Sequence, residues 1–294
     1  MTSTFFNAVL LPLALAIIML GLGLSLTLND FKRVVSYPKA IVIGLVSQMF
    51  ILPLVCFFIA RIFGLSPELA IGLMLLSASP GGPTANLYSH LSKGDVALNI
   101  SLTAVNSLLT LFTLPLIVNL AIGYFMTSGQ VVPMQFKKVA EVFAMVLIPV
   151  SIGMIVNAKF PKTSVKLDKP VKILSALFLV AVITGVIYQV RANIVSYFQM
   201  VGMAALVFNL ISIGVGYFLP RLMKLEEKQA IAIGMEIGIH NGTLAIFIAL
   251  TILGNGVMSI PPVIYSLIMF FTAAAFGYFV NLKRKTASKI LQTA

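Results

Sequence analysis

Charge of either sign is scarce in this sequence, and acid most of all: Asp and Glu together number eight in 294 residues. Charged residues make up 10% of the chain, against roughly a quarter in a soluble domain, and mean hydropathy is +1.07. These shortages exclude an ordinary soluble domain. The single cysteine, Cys56, excludes an internal disulfide and leaves the redox compartment open. The chain also lacks an H-E-x-x-H zinc motif, a G-x-S-x-G nucleophile elbow and a pair of aspartates within an apolar run. A membrane-embedded enzyme is therefore not expected. The first residues, MTSTFFNAVLL, lack the basic start of a signal peptide; they read as the opening of a first span in the mature protein.

What the chain has in quantity is apolar runs of the roughly 20 residues that a membrane helix needs. Polar breaks divide them into nine expected spans, near 5–27, 40–63, 67–91, 95–125, 134–157, 171–190, 195–219, 227–252 and 258–282. Alternate connections then hold very unequal shares of the 20 basic residues. One side has sixteen, including Lys32, Arg33, Lys159, Lys162, Lys166, Lys169 and the Lys283–Lys285 cluster. The other has four: Arg61, Lys137, Lys138 and Arg191. The positive-inside rule places the first set in the cytoplasm. The expected localisation is a multi-pass cell-membrane protein with its N-terminus outside and its C-terminus cytoplasmic. The net charge of +12 is absorbed by topology, so the lipid bilayer and not nucleic acid is the expected partner.

Seven of the eight acids fall in loops, near span ends, or, like Glu141, within a turn of Lys137 and Lys138. Glu236 alone sits deep within a span, where a charge costs roughly 3 kcal/mol on insertion scales and marks an interior or cavity. It opens the stretch EIGIHNGT at 236–243. Glycine weakens a helix interior, while Asn and Thr favour its start; a helix that stops and restarts near Asn241–Thr243 is expected. Span three carries a second break, SPGGPTAN at 79–86, because proline removes a backbone donor. Bare backbone at membrane depth survives only where protein or a cavity satisfies it. Spans three and eight are an odd number apart and run in opposite directions. Paired broken helices of inverted repeats, with ions and substrate near the midplane, are a recurring transporter design.

At these residues the chain resembles the bile acid:sodium symporter family. GLGLSLTLNDF at 21–31 and YPKAIVIGLVSQMFILP at 37–53 resemble its first shared spans. SPGGPTANLYSHLSKGDVALNISLT at 79–103 and EIGIHN at 236–241 are similar to its proline–glycine block and its glutamate motif. The resemblance implies an all-α multi-pass membrane protein of nine transmembrane helices: an inverted-repeat transporter with two crossed discontinuous helices. It implies a panel domain at 1–30 and 130–192 (spans one, five and six) and a core domain at 38–126 and 195–284 (spans two to four and seven to nine). A cytoplasmic tail at 285–294 follows.

The resemblance also implies Na+ as the coupling ion, with no other cofactor. The first sodium site would comprise Asn86, Asn99, Thr103 and Glu236. The second would comprise Gln48, Glu236, the carbonyls of Ile237 and Ile239, and His240. Sodium is a hard cation and wants oxygen ligands, which most of these supply. Three departures stand out. Ala85 replaces a common serine; Asn99 stands where a shorter hydroxyl is usual, and its longer amide is expected to compensate; His240 stands where glutamine is usual. Imidazole is a poor sodium ligand and titrates near neutral pH, so a weakened second sodium or a coupled proton is expected. Asn106 and Ser107 follow on span four, and His90 reads as interfacial.

Restarting helices present free N–H groups that favour an anion. The resemblance implies an organic anion, a bile acid or a small carboxylate. Asn241, Thr84 and Thr243 are the expected contacts, with Pro83 where some relatives have threonine. The expected function is sodium-coupled symport of that anion; the alternative is a cation/proton antiporter, or a proton-coupled or uncoupled efflux carrier, on the same architecture.

Overall fold

The computed structural model describes residues 6–126, 136–189 and 191–293, with the side chains of Asn7, Phe136 and 283–293 outside the description. The expected span limits 5, 134 and 190, the panel limits 1 and 130, and the side chains of Lys283, Arg284, Lys285 and Lys289 fall outside the described residues. Among those residues the chain is helical, with no strand. The main helices are α1 (Leu11–Ser25), α2 (Pro38–Ile62), α3 (Pro67–Ser77), α4 (Pro83–Leu91), α5 (Val96–Phe125) and α6 (Phe136–Lys159). They continue with α7 (Pro161–Gln189), α8 (Ile194–Leu222), α9 (Glu227–Gly238), α10 (Gly242–Phe247) and α11 (Ile260–Thr293).

Eight helices among the described residues are long and apolar enough to cross a membrane, counting Glu227–Ile252 as one; Pro67–Ser77 is shorter. Two boundaries differ from the sequence expectation. Residues 161–170 were expected in a loop because of their lysines, yet α7 starts at Pro161. Proline is favoured at a first helical position, and Lys162, Lys166 and Lys169 stand exposed, where a helix tolerates them. The segment expected as a tail from 285 continues α11 to Thr293.

Both expected breaks are present. Beyond α3, Pro80 and Pro83 have no N–H to extend a helical ladder, and Gly82 is fully extended at φ −164°, ψ −170° before α4. After Gly238, Ile239 is extended at φ −111°, ψ 96°. Asn241 then starts α10, its side-chain oxygen accepting from the Leu244 N–H at 3.1 Å. The breaks touch: the Asn241 N–H donates to the Pro80 carbonyl at 2.8 Å. The apolar window of Glu227–Ile252 is 100% buried, against 17% for those of α6 and α7. The second broken span is thus the centre of the molecule, and α6 and α7 are its periphery.

Contacts sort the helices into two groups. The first joins α1 to α6 and α7; the second gathers α8 and α11 around α9, with α3 on α5 and α4 on α9. The groups meet where α1 lies on α10 and α5 meets α6. A short helix, Leu28–Lys32, leads from one group to the other and touches α5. Its start is closed by Asp30, which accepts from the Thr27 N–H and hydroxyl, each at 2.7 Å, and pairs with Arg33 at 2.9 Å. Nearby, the charge of Asp95 and its hydrogen bond hold the Tyr37 hydroxyl above its ordinary pKa. Asp95 also caps α5 through Leu98 N, and its own N–H donates to the Lys228 carbonyl, tying α5 to the start of α9.

Lipid tails are as apolar as leucine, so membrane helices associate through close backbone packing at small residues. A β-carbon on Gly23 of α1 would lie 2.2 Å from the Val150 carbonyl oxygen; one on Gly153 of α6 would lie 2.6 Å from that of Leu20. These are backbone atoms and cannot swing aside. Gly153→Val should therefore cost about 1–3 kcal/mol through overpacking. The check is thermal unfolding of the purified protein in detergent, where an unchanged midpoint would contradict this contact.

Candidate ion and substrate site at the two helix breaks

Glu236 lies near the end of α9 with 1% of its surface exposed. One carboxylate oxygen, Oε2, accepts from the Thr103 hydroxyl at 2.5 Å; the other accepts from Asn106 Nδ2 at 3.4 Å. The backbone of Gly81, in the first break, supplies a third hydrogen bond. No ion pair among the described residues involves Glu236. Three other carboxylates have local partners: Asp168 has Lys172 at 2.7 Å, Glu141 has Lys138 at 3.3 Å, and Glu227 has the Tyr217 hydroxyl at 3.1 Å.

Oxygen is crowded around Thr103. Its Oγ1 lies 2.5 Å from the carboxylate, 3.0 Å from the Asn99 carbonyl and 3.4 Å from Asn86 Oδ1. A hydroxyl has one proton, so at most one of these three approaches is a donated hydrogen bond at any moment. Asn99 anchors Nδ2 on the Ala232 carbonyl at 2.7 Å, which leaves Oδ1 buried and without a donor. Of the first expected group, Thr103 thus meets Asn86 and Glu236, while the Asn99 side chain turns to Ala232, one helical turn before Glu236.

Of the second expected group, Gln48 and His240 meet at one carbonyl. Ser79 O accepts from Gln48 Nε2 at 3.0 Å and from His240 Nδ1 at 2.9 Å; Gln48 also donates to Ser77 O at 3.0 Å. A carbonyl only accepts, so His240 carries a proton on Nδ1. Gln48 Oε1 and His240 Nε2 are both buried without a hydrogen-bond partner. Gln48 sits in a π-helical turn, Ser47–Ile51, a local widening often found at functional sites. The His240 ring stacks on Phe208 at 5.8 Å and tilts against Tyr265 at 5.4 Å. Ile237 and Ile239 are buried on either side of Gly238.

The expected substrate residues divide. Asn241 lines a cavity of about 10 Å³ between the two helix groups, with Pro80, Ser107 and Thr110 facing Met19 of α1 and Val146 of α6. That volume is room for about one water. Pro83 and Thr84 are half-buried at the start of α4 and Thr243 is buried in α10; none lines that cavity. His90 is exposed.

Asn106 was singled out in the sequence without an assigned role, and several other partners were missed. Asn106 follows Asn99 and Thr103 at helical spacing, and Thr110 donates to its Oδ1 at 3.5 Å; the 99–103–106–110 stripe was a usable signal. Asn209, alone in the apolar run VFNLIS, was another. Gly81 carried none, because its part is a matter of space: a β-carbon there would sit 2.5 Å from the Glu236 carboxylate atoms.

A sequence model of the sodium bile acid symporter family matches residues 12–198, which hold the first break with Gln48, Asn86, Asn99 and Thr103. The chain belongs to that family. It is therefore a sodium-coupled membrane transporter and not an enzyme. Among curated relatives, a sodium-dependent transporter of Bacillus subtilis is 29% identical over 252 residues, 86% of this chain and 77% of its own length. The ileal sodium/bile acid cotransporter of Cricetulus griseus is 28% identical over 292 residues, covering 95% and 83% of the two chains. A probable chloroplast sodium/metabolite cotransporter of Arabidopsis thaliana is 30% identical over 249 residues, 84% of this chain. This chain spans less than two thirds of that plant protein, 60%.

In this family member Gly81 and the Glu236 carboxylate compete for one volume. Gly81→Ala should push the carboxylate off Thr103 and lower the apparent sodium affinity by tenfold or more, on the order of 1.4 kcal/mol. Sodium-induced thermal stabilisation of the purified protein measures this; a wild-type sodium titration would contradict it.

Proposed function

We propose that this family member is a symporter that takes up an organic anion, of bile-acid or small-carboxylate type, with sodium by alternating access. The observation that carries the reading is Glu236: a buried carboxylate with no cationic side chain beside it, set among more oxygens than the available protons can bridge. An ionised carboxylate at membrane depth needs a counter-charge. A hard cation supplies it and satisfies the surplus oxygens together.

The first sodium is assigned to Asn86, Asn99, Thr103 and Glu236. The donorless Asn99 Oδ1 suits the expected compensation for a missing hydroxyl at 85 and 99. The second site, Gln48, Glu236, Ile237, Ile239 and His240, fits less well. Gln48 offers a free oxygen, but His240 offers nitrogen, and Ser79 O is taken by both side chains. We assign it a weak second sodium. His240→Gln would keep a donor for Ser79 O and present an oxygen instead.

The interrupted pair α3–α4 counts as the ninth span, giving an N-terminus outside and a C-terminus in the cytoplasm by the distribution of lysine and arginine. The first helix group corresponds to the panel and the second to the core. The substrate site is assigned to their boundary, where Asn241 faces α1 and α6, with Thr84, Thr243 and Pro83 flanking it from the half-helices. Asn241 spends its oxygen on capping α10, so its Nδ2 is the group left for an anion. The cavity there, about 10 Å³, is far below the roughly 300 Å³ of a ligand pocket. Substrate entry therefore requires the panel and core to separate, as alternating access demands.

Proteoliposomes loaded without sodium should accumulate a labelled bile acid or small carboxylate when an inward sodium gradient is imposed. Glu236→Gln should abolish that uptake. A sodium-driven pH change without any anion would favour the antiporter instead. His240→Gln should raise the Hill coefficient for sodium towards two; no change in either the coefficient or the pH profile would remove the assigned role of His240.

A further inference from the structure

Each break contains one carbonyl that is held twice. At the first, Ser79 O accepts from Gln48 Nε2 at 3.0 Å and His240 Nδ1 at 2.9 Å. At the second, Gly238 O accepts from Asn209 Nδ2 at 2.9 Å and from the Tyr265 hydroxyl at 2.9 Å. The last carbonyls of a helix have no donor within it, and in hydrocarbon no water replaces one. Two side-chain donors fill both lone pairs of the Gly238 oxygen. Asn209 and Tyr265 are each 0% exposed. The Thr272 hydroxyl donates to Asn209 Oδ1, which fixes the amide so that its nitrogen faces the carbonyl.

The arrangement repeats across the fold. Gln48 lies on α2, the span before the first break; Asn209 lies on α8, the span before the second. The amide-to-carbonyl separations along the chain are also close, 31 and 29 residues. Gln48 was legible as a candidate ligand, and Asn209 is its counterpart in the opposite half.

We propose that Asn209 and Tyr265 are positioning residues for the coupling ion: by clamping the Gly238 carbonyl they set the last turn of α9 that carries Glu236. Gly238 is two residues beyond Glu236 and lies between Ile237 and Ile239, the two residues whose carbonyls are assigned to the weaker ion site. With both lone pairs engaged, the Gly238 oxygen is withdrawn from competition for a cation, and the chain on either side of it is held in one orientation. Released, this carbonyl would turn towards whatever donor or cation it could reach, and the Glu236 backbone would turn with it. The inference rests on the proposed ion-binding role of Glu236.

The test needs no substrate. The purified full chain is titrated with sodium chloride against choline chloride at constant ionic strength, and the melting temperature is followed. Wild type should be stabilised by sodium. Asn209→Leu and Tyr265→Phe should each raise the half-saturating sodium concentration by about tenfold, the usual size of an effect exerted through a ligand's own support. Gly153→Val, remote in the α1–α6 contact, should lower the melting temperature yet leave half-saturation unchanged, which separates positioning from general loosening. Should Asn209→Leu fail to fold, Tyr265→Phe decides alone, since it removes one hydroxyl. Wild-type half-saturation in the folded variants, with Glu236→Gln unresponsive to sodium, overturns this inference and leaves the proposed ion site standing. A wild-type sodium response in Glu236→Gln overturns the ion site itself, and the inference with it.

Discussion

A transmembrane helix that stops halfway must find partners for its open backbone groups without help from water, and the rest of this structure is arranged around that requirement. Both interruptions lie in the most buried part of the chain. Asn241 supplies a backbone donor to the Pro80 carbonyl, so each break satisfies part of the other. Gln48, His240, Asn209 and Tyr265 close the carbonyls of Ser77, Ser79 and Gly238. Every one of these polar side chains would be costly in lipid by itself; each is tolerated because it meets a backbone group that would be costly too.

Within that framework Glu236 is the exception. Its hydrogen bonds come from a hydroxyl, an amide and a backbone N–H, all neutral, so none cancels a charge. An exposed acid would be indifferent to this, as the screened lysine pairs of Glu141 and Asp168 are. At 1% exposure it is not. In the proposed assignment, a cation held here would sit where the two broken helices touch, so its occupancy would be linked to their geometry. The boundary with α1 and α6 lies against the same break through Asn241, Pro80 and Leu244. In the proposed assignment, ion and substrate would address one junction from two sides, which is what coupling requires.

Much of this was legible in the residues. Proline and glycine at 80–83 and the cluster at 236–243 announce breaks because their backbone chemistry is local: a missing N–H or a missing β-carbon acts wherever the chain goes. Asn241 as a helix start is local for the same reason. Glu236 stood out because a charge in an apolar run is costly in any fold. The first turns of α7 were misread, since lysines signal the end of lipid and not the end of a helix. Asn106 and Asn209 were visible as polar residues in apolar spans, but their partners were not.

Composition and the order of apolar runs were enough by themselves to determine a helical membrane protein, the two interruptions and the one carboxylate set deep within a span, because hydrophobicity and backbone restriction are properties of short stretches. Only the tertiary structure decided which atoms meet: that Thr103 and Asn106 share Glu236, that Ser79 and Gly238 each take two donors, and that a side chain at Gly81 would displace the Glu236 carboxylate. Those pairings join residues from 27 to 161 positions apart. Nothing in the local chemistry of an amide or hydroxyl says which distant carbonyl it will face; packing alone makes that choice.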